Sequence, residues 1–339
     1  MRAKWLKFGI LASIKVRASG QCIAPKTRTT LILDRYARHF ASEIKANRPD
    51  VLFGCAAATE LCMLETDIPI VGSSDSTAAL NLDYNAFFSQ MLDFSYRVTD
   101  EIEQIYLNKA KALYYSTERA ANSAAQHYNV ASDRLFVVPY GANLDDEIIP
   151  DRATVLQDKP HDVCRLLFIG VNWHYKGGSI AVETLKALLD LGIPAELTVC
   201  GCVPPEQYRH PNMHVIPFLD KNLPHDTKIL AQLLLNSHFF LLPTRNEAFG
   251  IVFCEASAFG LPSISTDTGG VKEVVVSGRN GYILPYEAQG AEYANIIASI
   301  FTDCSGYNRL RSSSRDEYEM RLNWNTWGKA VASTLSNIL

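Results

Sequence analysis

Short apolar runs alternate with longer amphipathic segments through the first half of the chain. Apolar residues recur at four-residue spacing from Ile32 to Ile44, which predicts a helix over 29–46 with one face on a core. Further along, apolar runs bounded by turn-forming residues predict four strands, at 51–54, 68–72, 112–116 and 134–139. Helical segments fall between these runs, so the pattern is typical of a parallel α/β sheet.

The second half repeats the same alternation. Five more apolar runs predict strands, at 165–170, 195–201, 215–219, 238–243 and 262–265. The segments between them predict helices, at 179–190, 227–236, 248–259 and 271–276. Helices at 288–301 and from 308 to the end close the chain. This half therefore predicts a second α/β unit.

The stretch 238–282 concentrates the candidate chemistry. It reads strand, loop and helix twice, and each predicted helix begins just after a strand ends. Ligands of parallel α/β sheets bind beyond the carboxyl ends of the strands, where free N–H groups at helix N-termini suit phosphate. Two such N-termini are predicted, at 248–250 and 269–271. Glu247 precedes the first of these helices and Glu255 lies about two turns into it, so they should contact different parts of one ligand.

Two segments of this stretch carry a family resemblance. Residues 243–250 read PTRNEAFG and residues 255–262 read EASAFGLP, so seven residues separate two glutamates within a specific context. The pattern resembles the donor-site signature of the GT-B glycosyltransferases of family 4. The alternative interpretation is a buried strand–helix–strand unit with a solvated glutamate on either side.

The resemblance implies an α/β fold of the GT-B type, in which two Rossmann-like domains with parallel sheets face a cleft. The expected order is an acceptor-side domain at 1–145, a linker at 146–162, a nucleotide-sugar domain at 163–310 and terminal helices at 311–339. These terminal helices are expected to return toward the first domain. That domain is short, and no Gly-rich loop precedes residue 54, so its first strand is expected to be missing.

The resemblance also implies a function, namely a retaining, hexosyltransferase-type glycosyltransferase. Such an enzyme moves a sugar from a nucleotide-diphosphate donor to a glycan, a lipid-linked acceptor or a small molecule. Glu247 is expected to face the sugar and Glu255 to bind the ribose hydroxyls. Asp75 is expected to orient an acceptor hydroxyl, with a helix-capping role as the alternative.

The same resemblance implies further donor contacts. Lys176 and Gly177 match the loop that holds the donor diphosphate in the family. The other expected donor contacts are Arg245, Ala248, Phe249, Gly250, Ile251, Gly269 and Gly270. No metal or cofactor is expected, because helix dipoles and Lys176 supply positive charge.

Two positions depart from the family pattern. Val171 stands where the family has an arginine on the diphosphate, with Arg245 as the one nearby substitute, and Ser74 stands where it has a histidine on the sugar. These departures motivate an alternative function, a catalytically silent GT-B module that binds a nucleotide or a partner. A sugar-nucleotide epimerase or a phosphorylase on the same fold is a third hypothesis, although the motifs expected of either are absent from the sequence.

Composition narrows the classes of function. With 339 residues, the chain exceeds the usual size of a single core, which predicts two domains. The net charge of −4 gives no basic field for nucleic acid. The longest apolar runs are shorter than the about 18 residues that a membrane span needs. Eight cysteines in mostly apolar contexts, without zinc spacing, indicate a reducing compartment.

The expected location is therefore the cytoplasm. Near the N-terminus, Lys4, Lys7, Lys15 and Arg17 cluster around Trp5 and other apolar residues. This pattern raises the option of a peripheral contact with the inner membrane surface, with a solvated chain end as the alternative.

Overall fold

The structure is a computed structural model that describes residues 30–84 and 93–338. The chain divides into two compact units, one built from Met1–Val137 with Leu335–Leu339 and the other from Val138–Thr334. The basic and aromatic cluster near the N-terminus, on which the option of a membrane contact rests, lies outside the described residues. None of the helices that the structure describes has the length and apolar character needed to cross a membrane.

The first unit contains a four-stranded sheet with the order β1-β2-β3-β4, and all its neighbouring strands are parallel. The strands are β1 (Leu52–Cys55), β2 (Ile70–Ser74), β3 (Ala112–Tyr115) and β4 (Leu135–Val137). The helices are α1 (Thr30–Asn47), α2 (Ala58–Leu61), α3 (Ala78–Tyr84), α4 (Asp93–Lys109) and α5 (Glu118–Tyr128), followed by a 3₁₀ turn (Ser132–Arg134). The predicted alternation of strands and helices is therefore confirmed here.

The core of the first unit lies where the helices pack on the sheet. Leu33 is the most deeply buried residue of α1, and Phe40 and Ile44 pack against the same cluster. The predicted amphipathic helix is therefore present, with Leu33 as a member of the apolar stripe that the four-residue spacing missed. Tyr106 of α4 packs so closely against Gly72 of β2 that a side chain larger than hydrogen has no room there.

The second unit contains a six-stranded parallel sheet with the order β10-β9-β8-β5-β6-β7. The strands are β5 (Cys164–Ile169), β6 (Ala195–Cys200), β7 (Met213–Ile216), β8 (Phe239–Leu242), β9 (Ser263–Thr266) and β10 (Gly281–Leu284). From β5 the chain adds strands on one side, and from β8 it adds them on the other. The order therefore reverses between β5 and β8, and the loops after such strands form the usual ligand crevice of open α/β sheets.

Helices surround this second sheet. They are α6 (Arg152–Val155), α7 (Gly178–Asp190), α8 (Pro224–Asn236), α9 (Ile251–Ala258), α10 (Val271–Val274), α11 (Gly290–Thr302), α12 (Cys304–Met320) and α13 (Trp324–Ile338), with a 3₁₀ turn (Glu206–Tyr208) before β7. Together with the first unit they confirm the predicted class of two α/β units with parallel sheets.

Two segments of the second unit differ from the sequence-based expectation. The polar stretch 146–162 contains α6, because the carboxylate of Asp151 caps that helix by accepting from the Thr154 N–H at 2.8 Å. The final helical region is divided into α12 and α13, because Asn323 accepts from the Thr326 N–H at 2.8 Å and starts a new helix.

Candidate active site

Two loops meet at the carboxyl edge of the second sheet, at the point where the strand order reverses. One follows β5 and the other follows β8, which are neighbouring strands. The carbonyl of Tyr175 accepts from the Arg245 N–H at 2.8 Å and from the Thr244 hydroxyl at 3.2 Å. Gly177 has a positive φ of 73° and lies directly against the carbonyl of Pro243. These contacts hold the two loops together without any side chain at position 177.

This arrangement places Lys176 beside Glu247. The ammonium of Lys176 donates to Oε2 of Glu247 at 2.5 Å, and the two side chains are 25% and 13% exposed. The pair is therefore partly shielded yet accessible at the edge of the sheet. It offers one cation and one carboxylate at neighbouring positions, which suits a ligand that carries both an anionic group and hydroxyls.

Helix α9 carries the second glutamate into the interior. The helix begins at Ile251, after Gly250 with a φ of 92°, so the predicted start at 248–250 is slightly early. A side chain at Gly250 would collide with the ring of Phe253. Glycine at this position lets the chain turn sharply from the Glu247 loop into the helix. Glu255 then lies one helical turn past Ile251 and is only 1% exposed.

Glu255 is a buried carboxylate with one oxygen engaged. Lys221 donates to its Oε1 at 2.5 Å, whereas Oε2 has no hydrogen-bond partner among the residues that the structure describes. Burial raises the pKa of Glu255, while the Lys221 ammonium and the backbone N–H of Asn143 act in the opposite direction. An unsatisfied buried oxygen is costly in a folded protein, and Oε2 is the oxygen of this carboxylate that is left to accept from a hydrogen-bond donor.

Lys221 is the site residue that sequence reasoning missed. It lies in the loop after β7, which ends at Ile216, and therefore at the same carboxyl edge as the other loops. A cation just beyond a predicted strand was the available signal. The family motif that drew attention to residues 243–262 does not extend to it.

The other expected donor contacts are distributed unevenly. The Gly270 N–H donates to the carbonyl of Glu247 at 3.2 Å, and the Val271 N–H donates to that of Thr268 at 3.1 Å. Because these two N–H groups are engaged within the fold, the short helix α10 offers fewer donors to a phosphate than the sequence suggested. Phe249 is 1% exposed and meets Tyr140 edge-on with ring centroids 5.6 Å apart, so its side chain packs in the core and is not available to a ligand.

Arg245 contacts Tyr286, whereas the sequence predicted that it contacts the donor. Its guanidinium carbon lies 3.7 Å from the ring centroid of Tyr286, in the loop after β10, and its Nη2 donates to the Tyr286 carbonyl. The Nη1 atom is buried without a partner among the described residues. Val171, where the family pattern has an arginine, is 79% exposed. Arg245 therefore does not take the place of the cation that is absent at position 171.

Asp75 belongs to the first unit, where it follows β2. It lines a cavity of about 200 Å³ at the carboxyl edge of that sheet, together with Asn81, Glu103 and Tyr106. Protein packed around the Asp75 carboxyl raises its pKa, and its own backbone N–H acts in the opposite direction. Ser74 donates to the Ser76 carbonyl at 2.7 Å, so its hydroxyl stabilises the local turn. Among the described residues, no lysine, arginine or histidine lines this cavity.

Comparison with known proteins points in one direction. The sequence model of the family described as glycosyl transferases group 1 matches residues 164–303. The D-inositol 3-phosphate glycosyltransferase of Corynebacterium glutamicum is 26% identical over 290 residues, which cover 80% of this chain and 66% of that protein. The chain thus spans just under two thirds of the length of this relative.

Solved structures share the fold at low sequence identity. Sucrose-phosphate synthase from Thermosynechococcus elongatus superposes with a TM-score of 0.71 at 16% identity, over 96% of this chain and 82% of that one. The Anabaena protein HepE, in complex with UDP and glucose, superposes with a TM-score of 0.66 at 16% identity, over 91% of this chain and 84% of that one. The two parallel-sheet α/β units therefore have the GT-B fold of these structures, and residues 164–303 of the second unit match the family of glycosyl transferases group 1.

Proposed function

We propose that the chain is a retaining glycosyltransferase that moves a sugar from a nucleotide-diphosphate donor to a hydroxyl-bearing acceptor. The observation that carries this proposal is a pair of glutamates, eight positions apart, each held by a lysine from a different loop. Glu247 pairs with Lys176 and Glu255 pairs with Lys221, all at the carboxyl edge of one parallel sheet. The matching family segment and the UDP and glucose in the HepE complex support a nucleotide sugar as the donor.

In this proposal the two glutamates bind different parts of the donor. The unpartnered Oε2 of Glu255 accepts hydrogen bonds from the vicinal hydroxyls of the ribose. Lys176 moves from Glu247 to the diphosphate, where a cation stabilises the charge that develops on the leaving group. Glu247 then faces the sugar, where it positions the hydroxyls and stabilises positive charge at the anomeric carbon. The N-terminus of α9, at Ile251, adds positive potential on the same side.

Bond changes follow from this placement. The bond between the anomeric carbon and the diphosphate oxygen breaks, and its electron pair leaves with the diphosphate. The acceptor oxygen forms the new bond on the same face of the sugar, so the anomeric configuration is retained. The proton of the acceptor hydroxyl passes to the departing phosphate oxygen. The scheme uses no metal or cofactor, because Lys176 and the helix N-terminus supply the positive charge.

The first unit supplies the acceptor side in this proposal. The cavity beside Asp75 presents carboxylates, hydroxyls and an amide, and among the described residues no cation lines it. Such a lining favours an acceptor rich in neutral hydroxyls, such as a glycan end or a polyol, over a phosphorylated one. The name of the Corynebacterium relative contains inositol 3-phosphate, and the acidic lining argues against transferring that acceptor to this chain.

The site of action is proposed to be the cytoplasm. The seven cysteines that the structure describes are all free, which supports a reducing compartment. A lipid-linked acceptor and a peripheral membrane contact stay hypotheses that rest on the sequence.

A nucleotide screen tests the proposal first. UDP, GDP and ADP and their sugars are added to the full chain in a thermal-shift and calorimetric series. One nucleotide should raise the unfolding midpoint and thereby identify the base. The matching nucleotide sugar should then be hydrolysed or transferred to a polyol acceptor. A well-folded protein that binds a nucleotide and turns over no donor would favour the silent module instead.

The Glu247→Gln variant separates catalysis from binding. It should abolish turnover and keep nucleotide affinity, because the change removes the charge beside the sugar and leaves Glu255 untouched. Glu206→Gln, in the 3₁₀ turn before β7, is the matched control for the loss of one carboxylate. Unchanged turnover in Glu247→Gln would contradict the role given to this residue.

A further inference from the structure

Lys221 and Glu255 are in contact, but their side chains differ strongly in solvent exposure. The Lys221 side chain is 40% exposed, whereas that of Glu255 is 1% exposed, and they meet at 2.5 Å. Only Oε1 of the carboxylate takes part, and Oε2 remains buried without a partner among the described residues. The lysine therefore approaches from the solvent side and fixes the orientation of the buried carboxylate through Oε1 alone.

Few other charges act on this carboxylate. Two thiols lie near the pair, because Cys254 precedes Glu255 on the same helix and Cys200 at the end of β6 interacts with Lys221. Burial raises the pKa of Cys254, and it raises that of Cys200 to about 11, so both stay neutral at physiological pH. The backbone N–H of Asn143 also faces the carboxylate. Lys221 is thus the side chain in the described structure that brings a full positive charge to Glu255.

We propose that Lys221 is a positioning residue that holds Oε1 of Glu255 and leaves Oε2 directed at the ribose hydroxyls of the donor. The inference rests on the proposed donor site and adds to it a residue that lies outside the motif at 243–262. A carboxylate held at one oxygen cannot rotate freely, so its second oxygen is a preorganised acceptor. The loop after β7 thereby contributes to nucleotide binding without itself contacting the ribose.

An alternative role for the contact between Lys221 and Glu255 predicts the opposite effect of removing the lysine on nucleotide affinity. If Lys221 occupies the space that the ribose needs, its ammonium must be displaced before a nucleotide can bind. Removing the lysine would then tighten nucleotide binding. In the positioning role, removal weakens binding, because a buried carboxylate without its cation favours the protonated form.

The experiment measures nucleotide affinity by calorimetry at pH 6, 7 and 8 for wild type, Lys221→Met and Lys221→Arg. The probe is whichever of UDP, GDP or ADP binds the wild type. Lys228→Met is the matched control, because Lys228 is an exposed lysine on the neighbouring helix α8. A thermal melt without ligand checks that each variant is folded.

We expect Lys221→Met to bind about tenfold or more weakly at pH 7, the scale of a hydrogen bond to a charged group. Its affinity should fall further from pH 8 to pH 6, as Glu255 takes up a proton. Lys221→Arg should restore a nearly flat pH profile, and Lys228→Met should match the wild type. Affinity in Lys221→Met that is unchanged, or tighter, would overturn the inference while leaving the donor site intact. A wild type that binds none of the three nucleotides would overturn both.

Discussion

Lys176 and Glu247 are separated by 71 positions in the sequence and meet at 2.5 Å. They come from the loops after β5 and β8, which become neighbours only because the strand order reverses between them. The connection is made by backbone contacts, with the Tyr175 carbonyl and Gly177 lying against the β8 loop. The cation and the carboxylate of the candidate site are therefore brought together by the topology of the sheet and by the absence of a side chain at position 177.

This relationship predicts a large effect for Gly177→Ala. The new Cβ would collide with the Pro243 carbonyl, and alanine would also be held at a positive φ. The two loops should separate, so we expect both the unfolding midpoint and the nucleotide affinity to fall. Differential scanning calorimetry and titration calorimetry on the same samples measure the two effects.

Gly192→Ala is the control for this variant. Gly192 has a φ of 78°, close to that of Gly177, but a Cβ there has open space around it. Gly192→Ala should therefore lower the free energy of unfolding only by the backbone strain, about 1–2 kcal/mol, and should leave nucleotide affinity unchanged. Equal effects from the two variants would mean that the contact with Pro243 does not matter for the site.

Much of the fold was predictable because the strands are short, apolar and bounded by turn-forming residues. The second half shows the limits of this reasoning. The predicted strand at 215–219 ends at Ile216, because Pro217 has no N–H to continue a ladder. The order of the strands was not predictable, since no local pattern shows that the chain returns to the other side of β5.

The candidate site was predictable only where a motif covers it. Glu247 and Glu255 stand out through the residues around them, whereas Lys221 is a single lysine in a polar loop. Its partner lies 34 positions away, and nothing local connects the two. Likewise, Arg245 looked free to bind a phosphate, but its guanidinium stacks on Tyr286, whose position depends on the tertiary structure.

Val171→Arg tests whether the loop after β5 is an incomplete diphosphate site. Val171 is 79% exposed, so the longer side chain fits without repacking, and stability should change by no more than about 0.5 kcal/mol. A guanidinium at this position should tighten nucleoside diphosphate binding by about tenfold, as expected for a hydrogen bond to a charged group. The nucleoside monophosphate, which lacks the second phosphate, should gain much less. Titration calorimetry with both nucleotides measures the difference.

Val203→Arg is the control for a general increase in positive potential. Val203 is 54% exposed and lies after β6, at the same edge of the sheet. It should attract both nucleotides weakly and equally, and this effect should disappear at high salt. The prediction for Val171→Arg fails if both variants give the same gain.

Asp75→Asn tests the acceptor side. The substitution keeps the shape of the side chain but removes the carboxylate that is proposed to orient an acceptor hydroxyl. We expect transfer to a polyol to fall by about a hundredfold or more, with nucleotide affinity unchanged. Asp67→Asn, an exposed position in the same unit, controls for the loss of charge. If transfer persists in Asp75→Asn, Asp75 serves only as a local cap, which is the alternative function that the sequence left open.

The pKa of Glu255 predicts how the stability of the ligand-free protein depends on pH. Burial raises this pKa in the folded state above its unfolded value. Above the folded pKa the ionised carboxylate therefore lowers the free energy of unfolding, and this cost shrinks as the pH falls from the folded pKa toward the unfolded pKa. Below the unfolded pKa the residue is protonated in both states and contributes nothing.

Glu255→Gln removes this cost and should therefore stabilise the ligand-free protein at pH 7.5. The unfolding midpoint should rise by about 2–4 °C for each kcal/mol gained, and the advantage over wild type should shrink toward pH 5. Nucleotide affinity should fall in the same variant, because an amide is a weaker acceptor for ribose hydroxyls than a carboxylate. A variant that is less stable at pH 7.5, with a gap that closes in acid, would mean that the Lys221 contact outweighs the burial of the charge. Greater stability combined with weaker binding would identify Glu255 as a residue retained for its ligand at the expense of the fold.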